Sequence, residues 1–79
     1  MILLSDHMTE LGLYLSKKSV NRSEVSRKTG ISKTRLSELS NNTNTLLRVE
    51  ELYLIALAIE ANPCELLNFV CKNLKLEKG

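Results

Sequence analysis

Lys33, Thr34, Ser37 and Glu38 recur one, three and four residues apart, the spacing that gathers side chains on one face of a helix. Together they offer hydrogen-bond donors, acceptors and a methyl group, and Arg35 lies among them. Such a set suits non-covalent reading of a polar partner rather than the making or breaking of bonds. The charge around it points the same way. Between Lys17 and Arg35 lie seven basic residues and one acidic one, a local balance of +6, whereas the remainder of the chain carries −4. A basic half set against an acidic half on a small domain is the electrostatic footprint of a nucleic-acid surface. Lys17, Lys18, Arg27 and Lys28 also fit a simpler role, complementing the negative ends of helices. Arg22, Lys33 and Arg35 fall at or near helix starts, where that role is a poor fit.

Covalent chemistry lacks its usual parts. The sequence has one histidine, His7, no nucleophile–base spacing, no glycine loop to cradle phosphate and no cluster of metal ligands. The chain is therefore read as a non-enzyme with no cofactor. Cys64 and Cys71 sit seven residues apart on one expected helix. Two turns separate their Cα atoms by about 10 Å, beyond disulfide reach. They are expected to be free thiols filling small core positions.

The elements that position the polar face are two short helices and a sharp turn. Asn21 is a good N-cap, and Glu24 three residues on completes a capping-box pattern. That helix runs to about Thr29, Gly30 suits the left-handed residue after it, and Ser32 caps a new helix from Lys33 to about Ser40. Val25, Ile31, Leu36 and Leu39 turn to one core, which leaves Ser23, Lys33, Thr34, Ser37 and Glu38 facing out.

Around this pair the chain predicts three more helices. Ser5 caps a first helix running to about Lys18, with Leu4, Met8, Leu11 and Leu15 as its apolar stripe. Gly12 weakens that helix unless a close contact requires it. Asn41 to Thr45 reads as a polar loop. A fourth helix spans about Arg48 to Glu60, with Val49, Leu52, Tyr53, Ile55, Ala56 and Ile59 as core. Leu54 and Leu57 make it apolar nearly all round, so something must cover its outer face. Asn62, Pro63 and Glu65 start a fifth helix that holds Leu66, Leu67, Phe69, Val70, Leu74 and Leu76.

The whole is one small all-α domain over 1–79, with a core of about 5–68 and a C-terminal helical extension at 69–79. Hydrophobic residues make up 43% and charged residues 25%, a balance that favours a folded soluble chain over disorder. No run approaches the roughly 18 apolar residues needed to span a bilayer. The opening Met-Ile-Leu-Leu is followed at once by Ser-Asp-His, unlike a signal peptide. A cytoplasmic location is expected.

From Leu11 to Leu67 the chain resembles the Cro and C1 repressor family of helix-turn-helix proteins, the XRE family. The resemblance rests on Ser26 inside the second helix, Gly30 at the turn, Ile31 after it, Leu36 in the third helix, and Ile55-Ala56-Leu57-Ala58-Ile59 in the fourth. It implies a compact five-helix lambda-repressor-like domain whose third helix enters the major groove of duplex DNA. By position Lys33 and Thr34 meet base edges first, with Ser37 and Glu38 one turn later and Arg35 reaching either guanine or a phosphate. Lysine donates to guanine O6 and N7, Thr34 offers its hydroxyl or methyl, and Glu38 accepts from cytosine N4. Arg22 and Ser23 are placed to hold a phosphate at the second helix N-terminus, with Asn41 and Asn44 doing so from the loop.

The resemblance further implies a small homodimeric repressor on a palindromic operator. Leu54, Leu57, Leu66, Val70 and Leu74 are its candidate interface, and Ile2 to Leu4 a second one. One departure stands out. Many members pair an arginine in the first helix with a glutamate after the third, and Leu15 and Ser40 occupy those positions here. The turn after the third helix must then be held differently, with local bonding by Ser40 the candidate. A rival class is an antitoxin or interaction module whose fourth and fifth helices bind a partner protein. RNA binding is disfavoured by the lack of an aromatic platform for stacking.

Overall fold

The computed structural model describes residues 8–77, and over them the chain forms five α-helices with short connections. These are α1 (Glu10–Lys17), α2 (Arg22–Thr29), α3 (Lys33–Asn41), α4 (Val49–Ala58) and α5 (Pro63–Val70). The all-α, five-helix architecture is the expected one. α1 packs on α3 and α5, while α2 packs on α3 and α4, and α4 on α5. The shared core is Leu11, Leu15, Val25, Leu36, Ile55 and Leu66, with Tyr14, Leu39, Leu52 and Ala56 beside them.

Local chemistry sets most of the helix starts. Asn21, Ser32 and Asn62 each accept a backbone N–H from the first turn of α2, α3 and α5, and Pro63 takes the first helical position of α5. Two ends close through non-glycine residues in left-handed conformation. Val20 N–H reaches the Leu15 carbonyl at 3.1 Å around Ser19 (φ 54°), and Ala61 N–H reaches Ala56 at 2.8 Å around Glu60 (φ 58°). Both are six-to-one bonds that satisfy a carbonyl left over at a helix end.

Several expectations are corrected. α1 starts at Glu10 under a Thr9 cap, so Met8 precedes the helix, and Ser5 and Leu4 lie outside the described residues. Thr9 wins because its hydroxyl accepts the Gly12 N–H at 3.0 Å and donates to the Leu39 carbonyl at 2.6 Å. α4 buries Leu52, Ile55 and Ala56, and it leaves Val49 81% and Tyr53 53% exposed. Those two lie four residues apart on a ridge beside the core face, and Leu57 extends it.

α5 stops at Val70, and Leu74 and Leu76 follow it in irregular chain, exposed. Cys64 is exposed in the first turn of α5 and Cys71 half-buried just past its end, so neither thiol is a core residue. Among the described residues no helix is long and apolar enough to cross a membrane.

The missing arginine–glutamate pair is replaced by a backbone contact. Ser40 is fully buried, but its hydroxyl makes no local bond. Its carbonyl instead accepts the Thr9 N–H at 2.8 Å, and Gly12 packs directly against the same peptide. A β-carbon on Gly12 would lie 2.9 Å from the Ser40 carbonyl carbon and closer still to its oxygen. The close contact that this glycine needed is therefore the C-terminal turn of α3.

Candidate nucleic-acid interface

The turn between α2 and α3 is built from three residues. Gly30 takes the left-handed conformation (φ 81°), and its N–H closes on the Ser26 carbonyl at 2.9 Å. The Thr29 hydroxyl donates to the Val25 carbonyl at 2.7 Å and accepts the Ile31 N–H at 3.0 Å. This hydroxyl bridge was not read from the sequence, although a threonine beside a turn glycine is the available signal. Ser32 then accepts the Arg35 N–H at 3.0 Å and starts α3.

With Leu36, Leu39 and Ser40 buried, α3 has one outward face. Lys33, Thr34, Ser37 and Glu38 are all exposed on it, and Asn41 continues the face one turn further as the last residue of the helix. The four residues expected to share a face therefore do so. Arg22, the first residue of α2, is half-buried, and Ser23 beside it is exposed. The Arg22 and Ser23 amides are among those a helix start leaves without an intrahelical acceptor.

The loop after α3 is shaped by Asn42. Its carboxamide oxygen accepts the Asn44 N–H at 2.9 Å, and its carbonyl accepts the Thr45 N–H at 3.0 Å. Asn41 and Asn44 keep exposed side chains, whereas Asn42 takes a structural role that sequence reading did not assign.

Arg35 does not join the exposed face. Its Nε donates to Glu51 Oε2 at 2.8 Å, and its Nη2 donates to Glu51 Oε1 and to the Leu46 carbonyl, both at 3.0 Å. The expected base or phosphate contact is corrected accordingly: the guanidinium is occupied within the fold. Glu51 Oε1 also accepts the Arg48 N–H at 3.0 Å and so caps α4. Hydrogen bonds from Arg35, then from the Arg48 amide, hold the Glu51 carboxyl below the usual carboxylate range despite its burial. The same pairing pushes the Arg35 guanidinium up from its ordinary value, so both partners stay charged.

The local +6 is thus thinned in space. Arg27 pairs with Glu24, whose carboxylate turns to it rather than closing the expected capping box. Lys17 lies 5.6 Å from the Phe69 ring centre, and Lys18 lies 5.4 Å from that of Tyr14. Lys33 and Lys28 remain as exposed cations near α3 and at the α2 end, with Arg22 at the α2 start.

The expected interface leucines divide. Leu66 is fully buried in the core and is struck from that set. Val70 is half-buried against the core, and Leu74 lies beyond the helix. Leu54 and Leu57 are exposed, and an apolar groove between α4 and α5 is walled by Val49, Tyr53, Leu67 and Val70.

Compared with known families, residues 10–72 match the model described as the Cro/C1-type HTH DNA-binding domain. Among curated proteins and among solved structures nothing matches this chain.

Proposed function

The chain belongs to the Cro/C1-type helix-turn-helix DNA-binding domains, and on that premise we propose that it is a small homodimeric repressor of a specific operator. The reading is carried by the outward face of α3. Lys33, Thr34, Ser37 and Glu38 project together from a helix whose opposite face is buried. A helix of this kind fits the major groove, where each base pair presents a distinct pattern of donors and acceptors. Lys33 and Thr34 read bases first and Ser37 and Glu38 follow. Arg22, Ser23, Asn41 and Asn44 hold phosphates and fix register without reading sequence.

A single copy makes few contacts, so a palindromic site with half-sites about one helical turn apart supplies the rest. The dimer is supported by the exposed apolar residues of α4, Leu54 and Leu57, which lie next to the α4–α5 groove. The same surface also favours a second reading, an antitoxin-like module that covers it with a different protein.

Gel-shift titration with the duplex upstream of its own gene, at two salt concentrations, tests the DNA reading. Retention at low salt that weakens steeply with added salt is expected. Absence of retention by any duplex at low ionic strength overturns it. Light scattering on the eluted protein alone distinguishes the two assemblies: a mass of two chains supports the dimer, and a stable monomer supports the partner module.

A further inference from the structure

One guanidinium joins three pieces of the chain that the DNA reading requires to act together. Arg35 lies in the first turn of α3, immediately after Lys33 and Thr34. Its two hydrogen bonds to Glu51 reach the first turn of α4, and its third reaches the Leu46 carbonyl at the end of the loop that carries Asn44. Glu51 in turn closes the α4 start through the Arg48 N–H. The paired carboxylate side chain is only 12% exposed. Parallel N–H bonds to a carboxylate fix orientation as well as distance, and lysine, a point charge on a flexible stem, does not reproduce them.

We propose that Arg35 is the positioning residue of the interface: held by Glu51, it keeps the base-reading turn of α3 and the 42–47 loop in one register. It acts through these neighbours and does not touch DNA itself. The inference rests on the DNA-binding reading, which gives that register its purpose. Releasing Arg35 to a phosphate would leave the largely covered Glu51 carboxylate without its partner, a costly arrangement.

The test compares the wild-type chain with E51Q, R35K and the double variant, at a temperature where circular dichroism shows each folded. The probes are a duplex selected by the wild-type chain and a random duplex, titrated over a salt series. Amide hydrogen exchange of Asn44 and Thr45 is followed in the DNA-free proteins. E51Q and R35K are each expected to lower discrimination between the duplexes about tenfold, with the double variant no worse than either. The salt slope stays at its wild-type value, because no phosphate contact is lost, and the two loop amides exchange faster.

Wild-type discrimination in E51Q, together with a salt slope reduced by about one in R35K, overturns the proposal and makes Arg35 a direct phosphate contact. If the wild-type chain binds neither duplex, the DNA reading fails by itself. The exchange data then still judge the clamp: unchanged protection of Asn44 and Thr45 in E51Q and R35K overturns it. Should E51Q fail to fold, R35K alone carries both readouts.

Discussion

The Thr9 N–H donates to the carbonyl of Ser40 at 2.8 Å, so the start of α1 is fastened to the last turn of α3. Gly12 makes this approach possible, because the space a β-carbon would need is filled by the Ser40 peptide. Gly12→Ala is favoured by helix propensity by up to about 1 kcal/mol. It must also push a backbone carbonyl aside, at a cost of about 1–3 kcal/mol or more. The second effect wins, and urea unfolding of the variant should show net destabilisation. A more stable Gly12→Ala protein would contradict the contact.

The Arg35–Glu51 pair makes stability depend on acid. The folded carboxyl has a lowered pKa, so around the usual carboxylate range the unfolded chain binds more protons and stability rises with pH. The contribution is complete above the unfolded value of about 4.3 and is lost as pH falls through the lower folded value. E51Q should be less stable than wild type at neutral pH, and the difference should shrink toward acid. Thermal midpoints across the acid range check this, and a constant difference would refute it.

Lys33→Ala and Thr34→Ala should each cost about 1–3 kcal/mol on the preferred duplex and relax specificity at one position. Arg22→Ala should weaken all duplexes alike and reduce the salt slope by about one. Filter binding with matched and scrambled duplexes separates the two behaviours. Equal losses on both duplexes for all three variants would remove the assigned roles.

Glu60 adopts a left-handed backbone (φ 58°) that glycine takes without a side-chain penalty. Glu60→Gly relieves about 1 kcal/mol of that strain, partly offset by the greater freedom of glycine in the unfolded chain. A small rise in thermal midpoint is expected from calorimetry, and a fall of several degrees would argue against this geometry.

Leu57 is 52% exposed and lies on the same α4 ridge as Tyr53. Leu57→Glu should therefore leave the fold intact and shift the assembly toward monomer, because a charge on a covered apolar face is expensive. Sedimentation reads the mass and circular dichroism the fold. An unchanged dimer places the interface elsewhere.

What the sequence made legible was short-range chemistry. Asn21, Ser32, Asn62, Pro63 and Gly30 act on groups within a few residues, and each sits where local bonding rules place it. The outward set Lys33, Thr34, Ser37 and Glu38 followed once Leu36 and Leu39 were assigned to the core. The errors came from distant partners. Arg35 was read as free because Glu51 lies sixteen residues away, and Thr9 was passed over because its acceptors Leu39 and Ser40 belong to another helix. Val49, Tyr53 and Leu66 show the same limit. Apolar character tells that a residue seeks cover, but only the packing of α4 on α5 decides which of the three receives it within one chain.

The helices span only eight to ten residues each. Segments below about 12–15 residues are barely helical by themselves in water. The groove-entering surface therefore exists only while all five helices are assembled, and a molecule that loses its packing loses its grip on the duplex in the same event. The supply of competent protein in the cell is then governed by folding equilibrium and degradation as much as by synthesis. A mutation far from Lys33 that merely loosens the interior would look, to a reporter gene, like a lower dose of an intact regulator.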